Sequence, residues 1–112
     1  MIEAMYGIEF ESNANGGTGV VIFETGKILG GDSSFVYIGT YTIENGILKA
    51  RIEANNDRKI LESIIGLDHF HLIGELNLGK GFNRNAFQMI ATVVERPGVK
   101  IVINFTWRAE LP

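Results

Sequence analysis

The sequence predicts an all-β protein, an eight-stranded antiparallel β-barrel with one short helix, and three observations carry that expectation. Apolar and polar residues alternate with a period of two through most of the 112 residues. Turn dipeptides recur at hairpin spacing, Thr25-Gly26 and Asn45-Gly46 above all. Glycines stand inside two of the alternating runs, at Gly39 and Gly74, where a curling wall bends or brings backbones together; this favours a barrel over a small sandwich. Closure would also remove the edge of the apolar final strand, which would otherwise invite association.

In chain order, residues 5–11 read as a first strand with Tyr6, Ile8 and Phe10 inward and Glu9 and Glu11 outward. A polar turn over residues 12–17 leads to a second strand centred on residues 20–23. The turn at residues 24–27 returns it as a short third strand around Ile28 and Leu29, and Gly30-Gly31-Asp32-Ser33 forms a corner. A long fourth strand covers residues 35–43, with Phe35, Tyr37, Gly39, Tyr41 and Ile43 on one face and Val36, Ile38, Thr40 and Thr42 on the other. Past Asn45-Gly46, residues 47–54 alternate Leu48, Ala50 and Ile52 against Lys49, Arg51 and Glu53, a wall with one wet face. Asp57 then caps a short helix whose apolar stripe is Ile60, Leu61, Ile64 and Ile65, ended by Gly66 and placed as a plug or lid on an opening. Residues 70–78, residues 82–94 and a last strand containing Ile101, Ile103, Phe105 and Trp107 complete the set, with turns at Gly79-Lys80-Gly81 and Arg96-Pro97-Gly98.

One domain spanning residues 1–112 is the natural organisation for this length, and 46% hydrophobic with 21% charged residues is a globular composition. The net charge of -3, with no run of lysines and arginines, argues against direct nucleic-acid binding. The absence of cysteine excludes disulfides and thiolate metal sites. No basic-then-apolar leader and no membrane-length stretch is present, so the expected compartment is the cytoplasm.

Few residues announce chemistry. Gly16-Gly17-Thr18-Gly19 lacks the lysine and the following helix of a phosphate loop and reads as a hairpin turn. Asp68, His69 and His71 form the one histidine–carboxylate cluster in the sequence. Without a spaced third ligand or a nucleophile signature they read as solvent-facing strand residues, so neither a metal, a cofactor nor a catalytic centre is expected. Asp32 reads as a corner carboxylate accepting amide hydrogen bonds. The aromatic residues suffice to line a cavity or to fill a small barrel, and the short strands favour a mostly filled interior. Val102, with Ile73 or Ile90 on neighbouring walls, leaves an outward apolar patch that a second copy would cover in a homodimer.

The segments Met5 to Phe10, Gly17 to Phe23, Gly26 to Tyr41 and Gly66 to Gly74 resemble the GrlR family, which is named for a negative regulator of a type III secretion system in enteric pathogens. The most specific part is Gly30-Gly31-Asp32 followed by Tyr37, Gly39 and Tyr41. The resemblance implies a lipocalin-like eight-stranded barrel that dimerises and acts as an anti-activator, holding a transcriptional activator inactive through a surface that includes an acidic run after the long strand. In this chain the matching hairpin is Thr42-Ile43-Glu44-Asn45-Gly46, where Glu44 is the sole acidic residue. The expected function is therefore that of a non-enzymatic, protein-binding regulator, with Glu44 and Asn45, and then Asp32 and Ser33, as the candidate contact residues. A small-molecule-binding barrel, either carrier or sensor, is the alternative.

Overall fold

In the computed structural model, which describes residues 2–112, eight antiparallel strands close into an up-and-down barrel. They are β1 (Ala4–Ser12), β2 (Asn15–Glu24), β3 (Lys27–Gly31), β4 (Phe35–Glu44), β5 (Ile47–Asn56), β6 (His69–Asn77), β7 (Ala86–Val93) and β8 (Arg96–Ala109). Each strand pairs with its neighbours in sequence, and β1 with β8 forms the seam, placing Ile8 opposite Phe105 and Phe10 opposite Ile103. The expected alternation holds from Phe35 to Thr42, while Ile43, expected on the inward face, is exposed at the end of the strand. Phe35 and Tyr41 are buried, Tyr37 is half-buried between them, and Val36, Ile38, Thr40 and Thr42 face out.

Three links are two-residue turns with positive φ at both central positions: Asn13 (49°) and Ala14 (68°), Thr25 (49°) and Gly26 (81°), Asn45 (53°) and Gly46 (76°). That pair of angles matches the right-handed twist of the strands it joins. The first of these turns is shorter than the six-residue turn the composition indicated, because Ala14 accepts a conformation that sequence reading reserves for glycine or asparagine. Gly16-Gly17-Thr18-Gly19 consequently belongs to β2, not to a turn, and Gly17 lies under the Phe10 ring, where a Cβ would approach the ring to 2.7 Å. Gly30 and Gly31 end β3 instead of forming the corner, which is made by Asp32 to Ser34. The last hairpin turns at Val94 and Glu95, so Arg96, Pro97 and Gly98 are the irregular start of β8, where the register shifts. Residues 82–85 are loop and turn, not strand.

The short helix is not formed: among the described residues no helix occurs, and residues 57–68 are an irregular connection. The cause is tertiary hydrogen bonding to the segment together with a left-handed residue inside it. The buried Ser34 Oγ accepts the amides of Ile60 and Leu61, each at 3.1 Å, and the buried Asn56 Oδ1 accepts the amide of Lys59 at 3.1 Å. Ser34 donates its own hydroxyl to Asn56 Oδ1, and Asn56 Nδ2 donates to Leu61 O and to Asp68 Oδ1, both at 2.9 Å. Lys59, at φ 53°, interrupts any right-handed run. With Asp57 as cap a helix would need the Leu61 amide to reach Asp57 O and the Ile65 amide to reach Leu61 O, but here the Leu61 amide goes to Ser34 Oγ, the Ile65 amide to Ser63 Oγ, and Leu61 O accepts from Asn56 Nδ2. The connection still closes one end of the barrel. Ile65 is buried, Ile64 and Leu67 pack against the core, and Arg96 Nη1 donates to Ile65 O at 2.9 Å.

Inside, one half of the barrel is solid. Tyr6 meets Phe23, Phe87 and Phe105 edge-on at 5.2–6.2 Å, and Phe87 stacks on Phe105 at 4.6 Å. Burial raises the Tyr6 hydroxyl to about 12, and it donates to Ile2 O at 2.6 Å.

The two in-strand glycines differ in what surrounds them. A Cβ on Gly39 would fall on the Arg51 carbonyl oxygen and 3.0 Å from Ile52 Cα, both backbone atoms, whereas one on Gly74 would meet the flexible Met89 Sδ at 2.6 Å. Gly39→Ala is expected to destabilise by about 1–3 kcal/mol, and Gly74→Ala by clearly less because a methionine side chain yields. Urea denaturation midpoints of both variants against wild type check the order; equal shifts would contradict it.

Candidate functional site

Three regions bear on function. The first comprises the residues singled out in the sequence, which β4 holds at its two ends. Glu44 closes the strand and Asn45 turns the hairpin, both exposed, while Asp32 and Ser33 precede the strand. Nine residue steps separate Phe35 from Glu44, about 30 Å along an extended chain. The two pairs therefore lie at opposite ends of the barrel and cannot form one small surface. Asp32 serves its own corner: Oδ1 accepts the amides of Ser34 at 2.8 Å and Phe35 at 2.7 Å, and Oδ2 accepts the Tyr37 hydroxyl. Burial, and then the bond to Asp32, push the Tyr37 hydroxyl far above its ordinary range.

Asp32 and Tyr37 also border the second region, an interior cavity of about 110 Å³ in the half of the barrel away from Tyr6. Its wall is otherwise mostly apolar, with Phe10, Phe35, Phe70 and Ile103 among the lining residues, and Leu61 to Ile64 of the irregular connection cover it. The interior is thus less completely filled than short strands implied. The lid expected of a helix is supplied by a loop.

The third region is the outer wall. Register aligns Met5, Ile22, Leu29 and Ile38 in one row across β1 to β4, and Gly7, Val20, Gly31 and Val36 in the next. Val20, Leu29, Val36 and Ile38 are all exposed, Ile38 by 50%. Charged and polar residues bound this apolar face: Glu24, Lys27, Thr40 and Arg51 along one side, Glu9 and Thr18 along the other, Glu53 and Asn55 at one end. The smaller patch read from sequence is also present, since Ile90 pairs directly with Val102 and Ile73 is exposed on β6.

Farther round the wall, register brings together what the sequence left apart. Glu53 stands opposite His71, and His69 Nε2 lies 2.8 Å from Glu53 Oε2. Glu95, from the β7–β8 turn, accepts the His71 amide at 2.8 Å through Oε1 and contacts His71 Nδ1 at 2.6 Å through Oε2. Asp68, the carboxylate adjacent in sequence, instead binds Asn56. Neither Glu53 nor Glu95 was legible as a partner, because cross-strand neighbours depend on register and not on spacing.

Hydrogen bonds from the His71 ring and amide bring the Glu95 carboxyl down from 4.5 to about 2, and the His69 ring holds that of Glu53 below its usual range. A carboxyl depressed in the folded state stabilises above its ordinary value and loses that contribution as pH falls through the folded one. The stability gap between wild type and Glu95→Gln, measured by urea titration in chelating buffer, is expected to be full at pH 6 and to shrink between pH 4.5 and about 2. A gap independent of pH across that window would show that the contact does not act through the carboxylate.

No protein-family model and no curated protein matches this sequence.

Proposed function

We propose that the protein is a non-enzymatic regulator that acts by binding another protein, and that the apolar face of β2, β3 and β4 is the principal contact. The observation that carries this reading is the continuity of that face: Val20, Leu29, Val36 and Ile38 stand exposed side by side within a charged and polar border. Apolar anchors inside a polar rim are the anatomy of a recognition surface. The resemblance to the GrlR family, with its lipocalin-like barrel, supports a bacterial anti-activator as the more specific role, its partner a transcriptional activator met in the cytoplasm. On this view Glu44 and Asn45 contribute a rim contact at one end of the wall, and Asp32 and Ser33 a separate one at the other. A lone rim carboxylate steers encounter more than it holds the complex. The role needs no cofactor and no contact with nucleic acid or membrane; no helix among the described residues is long and apolar enough to cross a membrane. A second copy of the chain covers Ile73, Ile90 and Val102.

The cavity favours a second reading, a barrel that carries or senses a small molecule. Apolar cavities of about 150 Å³ take up benzene-sized ligands. A space of about 110 Å³ suits a single ring or a short chain, with the Asp32–Tyr37 pair at its border for a polar end.

Capture from lysate of the source cell, using wild type, Ile38→Glu and Glu44→Lys as baits with mass spectrometric identification, tests the first reading. Wild type is expected to retain a transcriptional regulator, Ile38→Glu to lose it by tenfold or more, and Glu44→Lys to weaken it only modestly. Retention of no protein, together with a stoichiometric small molecule in native mass spectra of wild type, would replace that reading by the second.

Light scattering at micromolar concentration is expected to give twice the one-chain mass, reverting to one chain in Ile90→Lys. One-chain mass for wild type throughout would count against the dimer.

A further inference from the structure

We propose that Glu53, His69 and His71 form a surface site for a divalent first-row transition ion, zinc in the first instance, with Glu95 as the group that orients His71. The sequence offered two histidines with Asp68 or Glu75 as nearby carboxylates, but no spaced third ligand. The barrel supplies it from the adjacent strand, since His69 and His71 share the outer face of β6 and Glu53 stands opposite His71 on β5. One ligand atom from each of the three residues lies within 4.8 Å of the others.

The geometry is close to what the ion requires. Nitrogen and oxygen donors sit about 2.0–2.2 Å from zinc, so neighbouring donors of a tetrahedron stand about 3.3 Å apart. Here Glu53 Oε2 is 2.8 Å from His69 Nε2 and 3.6 Å from His71 Nε2, on either side of that spacing. Small side-chain rotations at an exposed site suffice to equalise them. Strand pairing fixes the three Cα positions, so little backbone order has to be gained on binding.

His71 supplies the more specific argument. Its Nδ1 meets Glu95 Oε2 at 2.6 Å, and the same carboxylate is held by the His71 amide. A neutral ring that donates from Nδ1 presents a lone pair at Nε2, and that nitrogen faces the acceptor oxygen of Glu53. Two acceptors facing one another attract a cation between them. A carboxylate on the far nitrogen of a ligating histidine fixes tautomer and ring orientation, as it does in metal sites generally. Three protein donors leave the fourth tetrahedral position to solvent, on the exposed side of His69.

Isothermal titration of chelator-treated protein with zinc chloride at pH 7.5, read alongside the histidine ring resonances by NMR, tests the site. The expected result is saturable binding of one equivalent per chain with both His69 and His71 rings shifted. His71→Ala and Glu53→Gln should each weaken binding at least tenfold, and Glu95→Gln by roughly tenfold to a hundredfold while the stoichiometry stays at one. Circular dichroism melts in chelator confirm that each variant is folded, and His69→Ala gives an independent ligand deletion on an exposed residue. Absence of saturable binding up to millimolar zinc would overturn the proposal. So would binding that survives His69→Ala and His71→Ala together, or a Glu95→Gln variant with wild-type affinity.

Discussion

Pairing of β1 with β8 is the constraint on which the rest of the barrel depends. Eight strands of 5 to 14 residues leave two rows of backbone donors and acceptors unpaired if the sheet stays open, and the seam satisfies both at once. The length of β8 accommodates the offset between its two partners, since it pairs with β7 up to Thr106 and with β1 from Val102 to Ala109. Closure then fixes the interior to the volume that inward side chains must occupy. Aromatic rings meet that demand around Tyr6, and the side chains of the other half leave the cavity.

The two halves end differently for related reasons. At the Tyr6 end, the turns at Thr25-Gly26 and Asn45-Gly46 are too short to reach across the opening; aromatic rings fill it, and Phe82 of the β6–β7 connection packs on Phe87 at 5.1 Å. At the other end a single long connection spans the gap, anchored by the buried Ser34–Asn56 pair. Buried polar side chains are costly unless satisfied, and here each takes or gives several bonds to the loop it holds. The lid over the cavity is therefore defined by hydrogen bonds as much as by Leu61 and Ile64.

The outer wall has no comparable demand placed on it, and its unevenness is informative for that reason. One sector carries Val20, Leu29, Val36 and Ile38, and another carries histidines faced by carboxylates. Barrel folding needs neither. A face bearing only charged and polar residues would close as well, as the alternation of Lys49, Arg51 and Glu53 along β5 illustrates. Such features are where binding is to be sought, whether of a protein or of an ion.

Local sequence determined the number and order of the strands, most of the inward set and two of the three tight hairpins, because each depends on residues adjacent along the chain. Period-two alternation placed Phe35, Tyr37 and Tyr41 inside, and Thr25-Gly26 and Asn45-Gly46 marked their turns through positive φ. The helix over residues 57–66 was a sound local inference that Ser34 and Asn56 overrode: Ser34 lies more than twenty residues away in sequence and takes the Leu61 amide, and Asn56 takes the Leu61 carbonyl, both of which a helix would need. Ala14 in a left-handed turn was likewise imposed by the strands on either side. Only tertiary structure decided which residues meet across strands. The rows of the apolar face and the approach of Glu53 and Glu95 to the histidines follow from register, and register is set by all the strands closing together, not by any one of them.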